Sequence, residues 1–244
     1  MSQAISPPRL VLFPGLAADG RLFDAQRRAF PDLESHPWLM PLSDDESIES
    51  YAKRMAMQII PDARPLFVGG VSFGAIIALE AARHLPASGV FLIGGGLSHR
   101  MITWPFQWMC QAAPLVPLPV VPWLLKLFPL GLDVIEDLTD EQKQLYVRMS
   151  RESPPAMIRW GAGAMMRWEF TGPLPAPIHA IHGHDDRIVR PKRLNIDRMI
   201  RGGRHLISLS HPDEVNAFFA EKMVVAPAAA PHEAGVIPVS SSCQ

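Results

Sequence analysis

No stretch restricts this chain more than PLFVGGVSFGAIIALEAARHL, which runs from Pro65 to Leu85. Leu66, Phe67 and Val68 read as a buried strand, two glycines follow, and an Ala/Ile/Leu/Glu run suited to a helix comes after Gly74. The pattern Gly70-x-Ser72-x-Gly74 therefore sits at a strand-to-helix corner. A side chain on either flank of so sharp a turn would collide with it, and glycine at 70 and 74 removes both obstacles. A helix starting just after Ser72 aims its free N–H groups and the positive end of its dipole at the serine. Ser72 is thus a candidate nucleophile. A GxSxG string alone is weak, since Gly and Ser fill many ordinary βα turns; the strand before it and the clean helix after it raise it above that.

The rest of the chain fits an α/β protein. At 244 residues it can bury a substantial core, as one domain with an insertion. Arg9–Phe13 reads as a strand, residues 20–29 as a helix stopped by Pro31, and His36–Met40 as a second strand. Ser43-Asp44-Asp45-Glu46 offers N-caps for a helix over Ile48–Ile60. Beyond the corner, Gly89–Gly94, Pro177–Gly183 and residues 195–200 read as strands. Ser210 is expected to cap a last helix over His211–Met223. Strands alternating with helices imply a mostly parallel sheet covered on both faces. Beyond Val225 the Ala/Pro/Ser-rich sequence reads as a disordered tail.

The rhythm breaks at Ser98. From Met101 to Leu130 the chain is almost uncharged, and five of its six tryptophans lie between Trp104 and Trp168. Prolines at 105, 114, 117, 119, 122 and 129 make one membrane-spanning helix untenable, since each interior proline costs roughly 3 kcal/mol. Short kinked segments forming a cap over Ser72 are expected instead, with regular helices over Thr139–Arg151 and Pro154–Trp168. The expected division is core over 1–98, helical cap over 99–170, core again over 171–224, and tail over 225–244. Trp104, Trp108, Met109 and Met165 are the candidate substrate contacts of the cap, although most of its Met and Trp residues are expected simply to pack it onto the body.

Net charge is −1, so nothing global argues for a nucleic-acid partner. Two cysteines, Cys110 and Cys243, make no disulfide framework, and MSQAISPPR lacks the pattern of a secretory signal. Both suit a reducing cytoplasm.

A serine hydroxyl is a poor nucleophile unless a histidine takes its proton and an acid fixes that histidine's tautomer. In the α/β order of Ser, acid, His, each at a strand's carboxyl end, Ser72, Asp186 and His205 satisfy both order and placement. Four pieces carry a resemblance: LVLFPGLAADGRLF, GGVSFGA, IHGHDDRIV and GGRHLISLSHPDEVNAFF. With them the chain resembles the α/β-hydrolase superfamily, in the small capped group that includes carboxylesterases and pimeloyl-carrier methyl ester esterases. The resemblance spans most of Arg9–Phe219 and is weakest across the cap. It implies Asp186 as the acid, three residues after the strand-ending glycine, with Asp185 the near alternative. It also implies backbone donors to an oxyanion at Leu16 and Phe73. The chain departs from relatives with Pro14-Gly15 in place of His-Gly, and with Arg204 interposed between Gly203 and His205.

The implied activity is hydrolysis of a carboxylic ester or thioester with an apolar group, without a cofactor. Acyl transfer shares the same first half-reaction and stays open. A metal-dependent hydrolase using His182, His184 and Asp186 is a rival, weakened by Arg187 standing where the next ligand should be. A non-catalytic binding protein of the same fold is another, but such proteins usually lose the nucleophile or base, and both are present. Of the other histidines, His36, His84 and His232 read as solvated, and His211 as a capping or surface residue. His99 reads as packing near the rim, and His179 and His182 as pointing into the body. From Arg187 to Arg204 run seven basic residues against Asp197, a candidate face for an anionic headgroup or an acyl-carrier protein, or a plain solvated basic face.

Overall fold

The computed structural model describes residues 7–127, 129–191 and 194–223. The chain opens with β1 (Arg9–Phe13), α1 (Asp24–Ala29), α2 (Ile48–Ala56), β2 (Leu66–Val71), α3 (Phe73–Ala81) and β3 (Ala87–Ile93). An insertion follows, carrying α4 (Trp104–Ala112), α5 (Val121–Leu127), α6 (Pro129–Ile135), α7 (Asp140–Glu152) and α8 (Pro155–Arg167). The chain then returns to β4 (Ile178–Gly183), β5 (Arg198–Ile200), α9 (Ile207–Ser210) and α10 (Pro212–Lys222). Among the described residues the five strands make one sheet in the order β1-β2-β3-β4-β5, every pairing parallel.

The strands are apolar throughout because both faces are covered. Val11, Phe13, Val68 and Leu92 face a core shared with α2, α3 and α8, while Leu12, Phe67, Phe91 and Ile181 face one shared with α10. All of α3 is buried, including Glu80, whose Oε1 accepts the Trp168 indole N–H at 2.8 Å and whose Oε2 accepts Arg83 Nε at 2.7 Å. That pairing satisfies a carboxylate which burial would otherwise penalise, and it ties the end of the insertion to the body.

Three local expectations give way. His36–Met40 is not a strand; the chain meets the sheet at Glu34, which bridges Val11, and then leaves it. The cap of α2 is Ser47, which accepts the Ser50 N–H, while Asp44 and Glu46 pair with Arg159 and Arg54. Ser210 ends α9 instead of capping α10, and its hydroxyl lies against Leu206 O and His211 Nδ1. Thr139 makes a full capping box with Gln142 at the start of α7. Among the described residues no helix is long and apolar enough to cross a membrane. The expected tail, with His232 and Cys243, lies outside the described residues.

Candidate active site

Ser72 has φ 54° and ψ −113°, a left-handed conformation that non-glycine residues seldom adopt. A Cβ at Gly74 would stand 2.1 Å from Phe13 O and 2.3 Å from Pro14 O, and one at Gly70 would stand 2.3 Å from Gly74 C. The corner thus wedges between the end of β1 and the start of α3, and backbone cannot yield as a side chain can. Gly74→Ala is expected to destabilise the protein by about 3 kcal/mol or more, read as a drop of roughly 6–12 °C in Tm. A melting temperature within a degree of the wild type would show that this corner is looser than described.

Strand order brings the remaining loops to the same end of the sheet. Backbone hydrogen bonds join Ser72 N to Ile93 O (2.9 Å), Gly94 N to Ile181 O (3.0 Å), His184 N to Ile200 O (2.9 Å) and Asp185 N to Gly203 O (2.9 Å). Each strand end is stitched to the next until the loop holding His205 is reached.

Asp186 Oδ2 lies 2.8 Å from His205 Nδ1, and its Oδ1 accepts the N–H groups of Ile188 (2.7 Å) and Val189 (3.0 Å). His182 Nε2 is 3.0 Å from the same Oδ2 and 3.0 Å from Val189 O. A carbonyl can only accept, so His182 carries its proton on Nε2 and shares it between the two oxygens. Burial alone would raise the Asp186 carboxyl; the His205 charge and the hydrogen bonds from His182, His205 and Val189 outweigh it and hold the group far below the usual range. Asp186 is therefore a fixed anion. For His205, burial disfavours the charged ring, but Asp186, with a smaller contribution from Glu136, carries its proton affinity above the ordinary imidazole value.

Ser72 and His205 line one cavity of about 570 Å³, with Gly15, Leu16 and Ala17 on its floor. Among the described residues no hydrogen bond joins the Ser72 hydroxyl to the His205 ring. Phe73 is the first residue of α3, so its N–H has no acceptor within the helix. Leu16 sits in a turn in which Ala18 N–H reaches Gly15 O and Ala17 takes φ 62°. The walls come from the insertion: Phe106, Met109, Leu124, Leu125 and Met165 among others.

Asp185 is the outer acid. It pairs with His184 Nδ1 at 2.8 Å with both side chains more than half exposed, leaving Asp186 as the carboxylate against His205. His182 reaches Asp186, but His184 turns outward to Asp185, so the three do not converge, and no group of three His, Cys, Asp or Glu side chains suited to a metal occurs among the described residues. Met109 and Met165 reach the cavity; Trp104 and Trp108 do not, being 71% and 66% exposed. They lie four residues apart on α4, opposite the face that turns Phe106, Met109 and Cys110 inward. Cys110 lines the cavity too, but burial pushes its thiol up to about 11, so it is no rival nucleophile. Among the described residues His205 is the one histidine on the cavity wall. His99 lies against Trp168 O and His179 against the Phe91 ring.

Among the described residues of the basic run, three are engaged locally. Arg187 and Arg204 donate to main-chain carbonyls at the end of α6, and Arg198 pairs with Glu221. Lys192 and Arg193 lie outside the described residues. Two further residues stand beside the pair: His182, read from sequence as pointing into the body or as a rival metal ligand and found on Asp186, and Glu136, which sequence reasoning gave no role and whose Oε2 accepts the Leu206 N–H at 3.0 Å. For His182 a signal existed, since a chain turning back after Gly183 brings residues 182 and 186 together. An acid after a proline-rich insertion carries none.

The alpha/beta hydrolase family model matches residues 10–218. By sequence, no curated protein matches. By structure the chain is similar to a malate-bound thermophilic esterase from Thermogutta terrifontis (TM-score 0.66, 14% identity, 88% of this chain and 89% of that one). It is similar also to MenH from S. aureus (TM-score 0.66, 17% identity, 88% and 94%). A carboxylesterase from the thaumarchaeon Nitrososphaera gargenis aligns with a TM-score of 0.68 at 13% identity over 90% of each chain. Identities this low speak for the fold alone. The family match runs from the first strand into the last helix and encloses the Ser72 corner, the Asp186 loop and the His205 loop: this chain belongs to the alpha/beta hydrolase family.

Proposed function

We propose that the protein is a serine hydrolase that cleaves a carboxylic ester or thioester bearing an apolar group. One observation carries the reading: a serine held at φ 54° opens into the same cavity as a buried histidine whose Nδ1 is 2.8 Å from a fixed carboxylate. Ser72 Oγ attacks the carbonyl carbon as His205 Nε2 takes its proton, and Asp186 holds the proton on Nδ1. The Leu16 and Phe73 N–H groups receive the oxyanion; the collapse of the intermediate expels the alcohol or thiol, which takes the proton from His205. Water, deprotonated by the same imidazole, then releases the acid from the acyl-enzyme.

The helical insertion acts as the cap. Its side of the cavity is mostly apolar, and among the described residues its one charged wall residue, Arg159, is paired with Asp44 at the surface. An acyl chain fits such walls better than a polar substituent.

The test is active-site labelling with a fluorophosphonate, mapped by peptide mass, together with an acyl-chain-length series of activated esters and thioesters. Labelling is expected on Ser72, and kcat/KM should rise by up to about fourfold per added methylene until the cavity is filled, the equivalent of about 0.8 kcal/mol each. Labelling at another serine refutes the assignment. Rates flat across chain length refute the apolar subsite while leaving the chemistry standing.

A further inference from the structure

Glu136 follows α6 in the helical insertion, yet it is 3% exposed and stands among the loops of the body. Its Oε2 accepts the main-chain N–H of Leu206, the residue after His205, and its Oε1 is buried without a hydrogen-bond partner. The turn before it is fastened to both site loops. Arg204 Nη1 donates to the carbonyls of Asp133 (3.2 Å) and Val134 (3.3 Å), and Arg187 Nη1 donates to Val134 O (2.8 Å). Those carbonyls close the last turn of α6, where a helix leaves acceptors unfilled. One end of one short helix thus grips the loop carrying Asp186 and the loop carrying His205.

The contact with Leu206 alone does not call for a carboxylate. A glutamine oxygen would accept the same N–H without placing a charge in a buried site, its NH₂ group standing where Oε1 stands now. What a carboxylate adds is charge. The groups facing it are His205 and Arg204 from the histidine loop, Asp186 from the acid loop, and Tyr146 from α7. Burial pushes the Glu136 carboxyl up to about 7; His205, the Leu206 N–H and Arg204 oppose this and Asp186 reinforces it. Its charge therefore changes within the working range of an imidazole base, beside a ring whose proton affinity it helps to raise.

We propose that Glu136 is a positioning residue for the reaction described above: from the insertion it fixes the main chain beside His205 and sets a second negative charge near the imidazole. Seating of the cap and the basicity of the histidine become one event. The proposal rests on the serine-hydrolase reading for its catalytic consequence, but its physical core does not.

An anion near the ring favours imidazolium, so removing it lowers the His205 pKa and moves the acid limb of kcat/KM to lower pH. Glu136→Gln separates charge from contact, since glutamine keeps an acceptor for Leu206. The experiment is an NMR titration of histidine-labelled protein, with the His205 signal assigned by its loss in His205→Gln, beside the pH profile of ester cleavage. Glu136→Gln is expected to lower the His205 pKa and the acid limb together by about 0.5–1 pH unit, and Glu136→Asp to restore most of the shift. A His205 titration unmoved in a folded Glu136→Gln protein overturns the proposal and leaves Glu136 a structural contact. Should that variant not fold, the wild-type His205 curve decides: a biphasic titration supports the coupling, and a single clean step with no inflection near Glu136 overturns it. Because the NMR titration needs no turnover, a shifted pKa in a protein that neither labels nor cleaves esters would sink the hydrolase reading and spare the coupling.

Discussion

Ser72→Ala is expected to reduce ester turnover by about 10⁴–10⁶-fold and to abolish fluorophosphonate labelling, with the fold intact. The size follows from the arrangement: without Oγ, His205 has no proton to accept, and only oxyanion donors and substrate binding remain. Ser72→Gly should be equally inactive but more stable. The residue sits at φ 54°, a conformation costing about 1–3 kcal/mol for a side chain and almost nothing for glycine. A gain of about 1 kcal/mol, or roughly 2–4 °C in Tm for a chain of this length, is the expected signature of strain kept for the sake of the nucleophile. Alanine retains the strain and should melt close to the wild type. Thermal melts of the three proteins, with labelling in parallel, check both halves; a glycine variant less stable than the alanine variant would show that the corner is not strained against its side chain.

The body of the fold was legible because its signals are local. Arg9–Phe13 is a strand to the residue, and the corner, the acid loop and the histidine loop are punctuated by glycines whose places are dictated by backbone packed on backbone. Helix N-termini were harder: Ser47 and Ser43 both look like caps, and only the path of the preceding loop decides between them. The insertion resisted for a deeper reason. Helices as short as α4 and α5 expose apolar residues on one face and line the cavity with the other, so period and composition cannot say which tryptophan faces inward. Glu136 was invisible because its role is made by three-dimensional placement; in sequence it is one acid between Ile135 and Asp137.

Asp186→Asn is expected to lower kcat by about 10⁴-fold, and the reason lies in a count of donors. Four groups point protons at this carboxylate: the Ile188 and Val189 N–H groups at Oδ1, and His182 Nε2 and His205 Nδ1 at Oδ2. An asparagine has one oxygen. If it keeps the two main-chain donors, its NH₂ group faces both imidazoles. His182 can still donate to Val189 O, so it tolerates the change. His205 has no such outlet and must present a bare Nδ1 to the amide, which puts its single neutral-state proton on Nε2, toward Ser72, where a base must be empty. If instead the amide turns its oxygen to His205, its NH₂ group meets two backbone donors, and the loop from Asp186 to Val189 must open. Either way the base is lost, through the wrong tautomer or a displaced loop, and the first outcome keeps the Tm nearer the wild type than the second. Asp185→Asn is the matched control. That side chain is more than half exposed and holds only His184, so its activity should stay within about twofold of the wild type. Steady-state kinetics on the pair decide the matter, since the reverse ranking would move the orienting acid to Asp185 and leave Asp186 as a buried strut of its own turn.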